Sequence, residues 1–331
     1  MALYDLPLEE LEAYRPEIAE PDDFDAFWST TLAQSRSAAR APVAVPVDTG
    51  LARVKVHDVS FSGYGGEPIK AWLSAPAEAA GPLPVVVQFQ GYGGGRGLPV
   101  EHTLWPSVGV AHLMVDTRGQ GAAGWGSVGD TPDPHGSGPA HSGFLTRGIL
   151  DPHEHYYVRA MTDAALAIDA AAALPGVEAS RIIVAGASQG GALAIAAVGL
   201  HDAPIALMAD VAFLCHIRRA VDLVDGDPYD EVRSYLAAHR DRVEQVFHTL
   251  SYVDAANHAR RGRARALWSV ALRDTTCPPS TTYAAFHRYG ELGGEPDKRI
   301  EVYPYNNHEG GGAFQIKKQL EFVTELLAAA V

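Results

Sequence analysis

The chain has 331 residues, of which 47% are hydrophobic and 20% charged, enough to bury a substantial core as one domain. A formal charge of −14 argues against nucleic acid as a partner, because affinity for phosphates comes largely from Lys and Arg, and points instead to neutral or weakly charged small molecules. The start MALYDLPLEELE is acidic and carries no basic n-region followed by a long apolar run. The Ala-rich stretch 160–174 is short and interrupted by Asp163 and Asp169, so neither a secretory signal nor a membrane span is expected, and the expected location is cytoplasmic. Two cysteines make no disulfide framework.

Taken in chain order, residues 1–45 read as a helical N-terminal extension clasping the body. A helix starts at Pro21-Asp22-Asp23 and carries Phe24, Phe27 and Trp28 at i, i+3, i+4 spacing, a stripe expected to pack rather than to bind. Runs 54–61 and 69–75 alternate enough to pair antiparallel around the turn Gly63-Tyr64-Gly65-Gly66. Strands at 84–89 and 111–115, a helix over 156–174, a strand at 181–185, a helix over 189–200 and a strand at 205–209 follow. This is the βα alternation of a mostly parallel sheet with helices on both faces. The alternation stops over 213–262, a charged, helix-rich insertion expected to lie over the site as a lid, with Asp227-Pro228-Tyr229 as a wall and Phe213 and Pro228 lining the pocket. Strands at 266–272 and 299–303 and a final helix complete one domain spanning 1–331.

Residues 181–191, RIIVAGASQGG, deliver an apolar β-branched run into Gly186-Ala187-Ser188-Gln189-Gly190 and then into a helix. This is a nucleophile elbow, in which small residues allow a sharp strand-to-helix turn that lifts the Ser188 hydroxyl clear of its neighbours, as in the α/β-hydrolase fold. A serine alcohol needs a histidine base and an acid that orients it. In chain order these are Asp274, two residues past the strand 266–272, and His308, in the loop PYNNHEGGG after the last strand. Both follow C-terminal strand ends, where open α/β sheets place their chemistry. Asp210, Asp222, Asp225 and Asp227 compete for the acid role, but only Asp274 lies between the last two strands, with Pro278 and Pro279 stiffening the turn behind it. The elbow assigns one oxyanion donor to the N–H of Gln189. The second is expected from the loop Gln90-Gly91-Tyr92-Gly93-Gly94-Gly95, with Tyr92 N–H preferred.

Arg118-Gly119-Gln120, Gly186-Ala187-Ser188-Gln189-Gly190 and His308-Glu309 together resemble the signature of carbohydrate esterase family seven, the acetyl xylan esterases and cephalosporin C deacetylases. QGYGGGRG, DTRGQG, GILDP, DVAFLCHIRRAV and RDTTCPPST extend the resemblance over nearly the whole chain. The resemblance implies Ser188, Asp274 and His308 as a triad, Tyr92 and Gln189 as oxyanion donors, and Arg118, Gly119 and Gln120 as scaffolding beneath the elbow. It also implies removal of acetyl groups from sugar or antibiotic esters without a cofactor, and hexameric assembly. The chain departs from the family pattern at His153, His155, His216 and Ile217 and in the Gly/Pro/His-rich loop 130–142, which touches substrate fit and assembly rather than chemistry.

Three rival readings stand beside this one. A dienelactone-type hydrolase usually carries cysteine as nucleophile, and an aminopeptidase usually brings a propeller or large cap for which there is no room. A non-catalytic binding protein on the same fold tends to lose a triad member. Cys277, three residues after Asp274, is a pocket-lining candidate rather than a nucleophile. The 14 histidines show no zincin-type spacing, and His153-Glu154-His155 brings two rings to one face only in extended chain, so no metal is expected.

Overall fold

Alternate residues along the central strands sort into two apolar layers. Val85, Val87, Phe89, Ile182, Val184, Leu207 and Ala209 face one core, while Val86, Ile183, Ala185, Ala206 and Met208 face the other. The period of two is what a sheet covered on both sides requires. The computed structural model describes residues 4–123, 127–136 and 138–328.

Among the described residues the sheet has nine strands, β1 (Val43–Val47), β2 (Val54–Ser62), β3 (Pro68–Pro76), β4 (Leu83–Phe89), β5 (Ala111–Val115), β6 (Val177–Ala187), β7 (Pro204–Asp210), β8 (Arg265–Ala271) and β9 (Lys298–Tyr303). Their order is β1-β2-β3-β5-β4-β6-β7-β8-β9. The first three strands and the β3–β5 contact are antiparallel, and every contact from β5 to β9 is parallel. Within the stretch read as helical, Val43–Val47 is instead an edge strand with mostly exposed residues. Pro46 has no N–H to give, which an edge position tolerates.

Helices α1 (Leu8–Ala13) and α2 (Phe24–Ser37) precede the sheet, α3 (Leu104–Ser107) follows β4, and α4 (Tyr156–Ala173) and α5 (Gln189–Leu200) flank β6. Between β7 and β8 come α6 (Ile217–Leu223), α7 (Asp230–Ala238), α8 (Val243–Ser251) and α9 (Ala255–Ala259); α10 (Pro279–Arg288) and α11 (Gly312–Ala328) close the chain. The larger core includes Met161 and Ile168 of α4 and Leu193 and Ile195 of α5. Trp105 of α3 and Phe322, Val323 and Leu326 of α11 cover the opposite face. α9 packs on α5 and α10, as part of the body.

The N-terminal segment wraps the helices that follow β7. Phe24, Phe27 and Trp28 are buried in the large core, and Trp28 Nε1 donates to Tyr252 O at 3.1 Å. Glu20 takes both Arg260 (2.8 Å) and Arg261 (3.0 Å). Asp5 holds Arg219 at 2.9 Å and accepts the Ser280 N–H at 2.8 Å, fixing the start of α10. Among the described residues, no helix is long and apolar enough to cross a membrane.

Candidate active site

Ser188 sits at the junction of β6 and α5 with φ 56° and ψ −122°, a conformation that an L-residue holds only when its surroundings impose it. They do so here. A Cβ on Gly186 would collide with the Gly190 backbone, and a Cβ on Gly190 would collide with the Phe89 carbonyl. The Ser188 N–H donates to Asp210 O at 2.9 Å, while its carbonyl accepts from Ala192 N at 3.1 Å and Phe213 N at 3.0 Å. The elbow is thereby clamped from β7 and from the segment beyond it.

His308, on the loop after β9, places Nε2 2.9 Å from Ser188 Oγ and Nδ1 2.8 Å from Asp274 Oδ2. Asp274 is fully buried. Its Oδ1 accepts from Thr276 N and Cys277 N, both at 2.9 Å, which aims the carboxylate at the imidazole. The two loops are tied together: Arg273 N donates to Asn306 O at 3.1 Å, and Thr275 N donates to Asn307 Oδ1 at 2.9 Å. Asp210, the nearest competitor as acid, bonds elsewhere, accepting from Ser269 Oγ (2.7 Å), Gln315 Nε2 (2.7 Å) and Gln319 Nε2 (2.6 Å).

A cavity of about 550 Å³ opens on Ser188 and His308; Gly91, Tyr92, Ser142, Gly143, Pro228 and Glu231 are on its wall. Three expected wall residues lie elsewhere. Phe213 and Cys277 are buried and do not line the cavity, because Phe213 is spent packing edge-on to Tyr92 and against Tyr229. Cys277 lies under the Asp274 turn, where burial pushes its thiol well above the ordinary range. Tyr229, next to Pro228, is also core; its hydroxyl accepts the Leu214 N–H at 3.0 Å. Pro228 does line the cavity.

Arg118, Gly119 and Gln120 lie behind the site. Arg118 grips Asp163 through Nε (2.6 Å) and Nη2 (2.8 Å) and reaches Glu67 at 2.6 Å through Nη1. Gly119 has φ +66° and donates to Thr131 O at 2.7 Å. Gln120 sits closer to the chemistry than scaffolding alone implies. Its amide pairs with that of Gln189, Nε2 to Oε1 at 2.8 Å and the reverse at 3.1 Å, and its Oε1 accepts the Gly93 N–H at 2.7 Å. One side chain therefore joins the loop after β4 to the first residue of α5.

His155 and the 130–142 loop find structural employment. His155 is buried at the start of α4, Nε2 2.9 Å from Leu145 O, with burial holding its ring down at about 4. Asp130 pairs with Arg96 (2.9 Å), Asp133 with Arg159 (2.9 Å) and Arg118 (3.3 Å), and His135 with Glu67 (2.7 Å). These contacts lead the loop to Ser142 and Gly143 on the cavity wall; Ser137 lies outside the described residues. Sequence reading passed over Glu231, a carboxyl on that wall that is only 2% exposed.

A mostly parallel sheet flanked by helices, with a serine on a strained strand-to-helix turn and a histidine and buried aspartate beyond later strands, defines an α/β-hydrolase of the serine type. The acetyl xylan esterase (AXE1) family model matches residues 1–326, and the chain belongs to that family. It superposes on an acetyl xylan esterase from Paenibacillus sp. R4 with TM-score 0.89 and 36% identity, covering 97% of this chain and 99% of that one. Acetyl xylan esterase 1 from Thermoanaerobacterium sp. JW/SL YS485 gives TM-score 0.88 at 28% identity, covering 98% and 99%. Acetyl esterase Axe7A of Xylanibacter ruminicola is 28% identical over 329 residues; the match takes in 90% of this chain but 65% of that protein's length.

Proposed function

We propose that the protein is a serine esterase that removes acetyl groups from acetylated sugars, xylo-oligosaccharides first among them, and from cephalosporin C-type esters. The observation that carries this reading is the single imidazole bonded at one nitrogen to Ser188 Oγ and at the other to buried Asp274, at the mouth of a cavity of about 550 Å³. Ser188 attacks the acetyl carbonyl while His308 Nε2 takes its proton. Asp274 keeps the proton on Nδ1 and stabilises the imidazolium. The tetrahedral oxyanion is received by two N–H groups, those of Gln189 and Tyr92. Gln189 is the first residue of α5, a position whose N–H has no intrahelical acceptor. His308 then returns the proton to the leaving alkoxide, and water hydrolyses the acetyl-enzyme by the same route. Within residues 213–262 the stretch carrying Asp227, Pro228 and Glu231 acts as the lid over the cavity, while α9 near its end belongs to the body.

The family similarity also supports a hexamer, and Leu98, Val100, Leu104 and Val108, exposed along one stretch, supply apolar surface for it. Two buried, unpaired cysteines fit a reducing, cytoplasmic setting. The test of the chemistry is turnover of p-nitrophenyl acetate, butyrate and octanoate by wild type and Ser188→Ala. Rates should fall steeply with acyl length, and the alanine variant should lose at least ~10⁴-fold in kcat while melting at the wild-type temperature. Octanoate cleaved as fast as acetate, or activity surviving without the hydroxyl, refutes the reading.

A further inference from the structure

Between residues 91 and 95 the loop after β4 reads Gly-Tyr-Gly-Gly-Gly, so Tyr92 supplies its one side-chain anchor. A glycine-rich backbone has no preferred conformation of its own, yet an oxyanion donor must be held within about 0.5 Å of its productive place. Gln120 holds the following residue through the Gly93 N–H, and what holds the Tyr92 side chain sets, together with that bond, where the Tyr92 N–H lies. Its ring packs edge-on to Phe144 and Phe213, with centroids 5.3 and 6.1 Å away, and its hydroxyl accepts the Phe144 N–H at 2.8 Å. The hydroxyl in turn donates to Glu231 Oε1, and the other oxygen, Oε2, accepts the Leu145 N–H at 2.8 Å. Glu231 is only 2% exposed and belongs to α7. The carboxylate can come this close because residue 143 is glycine, where a Cβ would collide with both carboxylate oxygens.

Three segments far apart in sequence thus meet at one carboxyl: the loop carrying Tyr92, the turn 143–145 and α7. We propose that Glu231 is a positioning residue for the oxyanion hole, acting through the Tyr92 hydroxyl to hold the Tyr92 N–H where the tetrahedral oxygen develops. The inference rests on the esterase reading above. Burial and the bond to Tyr92 place the contact in an enclosed, weakly screened setting; burial pushes Glu231 up to about 7 and raises the Tyr92 phenol as well. The phenol therefore keeps its proton and remains a donor at neutral pH. Glu231 touches no reacting atom, so its loss should slow turnover rather than substrate capture.

The experiment compares wild type, Ser188→Ala, Glu231→Ala, Glu231→Gln, Tyr92→Phe and the Tyr92→Phe/Glu231→Ala pair, with kcat and KM for p-nitrophenyl acetate and the thermal midpoint of each. Wild-type turnover and its loss in Ser188→Ala decide the esterase reading on their own. For Glu231→Ala we expect kcat to fall by about tenfold or more, short of the ~10²-fold or greater cost of deleting a donor outright, with KM changed by less than about threefold. Glu231→Gln, whose amide oxygen still accepts one bond, should recover part of the loss. Tyr92→Phe should resemble Glu231→Ala, and the double variant should be no slower than the slower single one. An unchanged kcat in Glu231→Ala, a rise confined to KM, or additive losses in the double variant would overturn the proposal. Should Glu231→Ala fail to fold, Tyr92→Phe and Glu231→Gln decide: a wild-type kcat in both overturns it, and a fall in kcat at constant KM in both, smaller in Glu231→Gln, supports it.

Discussion

Arg118 has 1% of its surface exposed, and its guanidinium meets carboxylates of Asp163, Glu67 and Asp133 drawn from three separate segments. The fork to Asp163 needs two parallel donors, which a lysine ammonium cannot reproduce. Arg159 shares Asp133, so removing Arg118 leaves buried carboxylates with too little positive charge. Breaking a buried pair of this kind typically costs about 3–5 kcal/mol. Arg118→Met is therefore expected to lower the urea midpoint sharply, and Arg118→Lys to recover only a small part. A midpoint within experimental error of wild type in Arg118→Met would show that the cluster adds nothing to the fold. The same cluster carries Gly119 and Gln120 on its next residues, so a fall in activity should accompany the loss of stability.

At the scale of elements, α11 is held on the sheet by more than its apolar face. Gln315 and Gln319, one turn apart, both donate to Asp210 at the end of β7, and the backbone carbonyl of Asp210 accepts the Ser188 N–H. The end of β7 therefore links the final helix to the elbow. Burial pushes the Asp210 carboxyl from its ordinary 3.8 up to about 6, against the opposing hydrogen bonds from Ser269 and Gln315. A carboxyl raised in the folded state binds its proton more tightly there than in the unfolded chain. Its stabilising contribution is thus complete below about pH 4 and is lost as pH rises through about 6. The stability of wild type minus that of Asp210→Asn should accordingly decrease between pH 4 and pH 7, read from urea unfolding at both. A difference that stays constant or grows over that interval would contradict the sign.

For the molecule as a whole, charge and apolar surface pull in opposite directions. A net charge of −14 opposes association of like chains, whereas exposed Leu98, Val100, Leu104 and Val108 favour it. An interface able to form should then be apolar at its centre with charge at the rim, and its formation should strengthen with salt as repulsion is screened. Light scattering at micromolar concentration should give a multiple of the 35.2 kDa chain mass, with the proposed hexamer as the expected multiple. A monomer at both low and high salt would dispose of the assembly.

Local backbone demands are written in residue types, and these were legible. The elbow could be read from its glycines and flanking runs because a turn at φ 56° needs small neighbours on either side. Strands β4 to β8 announced themselves as apolar runs because both faces of a parallel sheet are covered, and the order Ser188, Asp274, His308 follows from strand succession along one chain. β1 escaped because an exposed edge strand carries little apolar pattern, and its Val43–Val47 run adjoins a helical stretch. Whether a residue beside the site faces the cavity or the core was not legible either. Pro228 and Tyr229 are neighbours, yet one lines the cavity and the other is buried behind it. Glu231 is one of 40 acidic residues, and nothing in its own neighbourhood marks it. Its meeting with Tyr92 spans 139 positions, and the amide pair of Gln120 with Gln189 spans 69. Such contacts are chosen by how sheet, loops and helices close on one another, so tertiary structure alone decided which polar side chains brace the site.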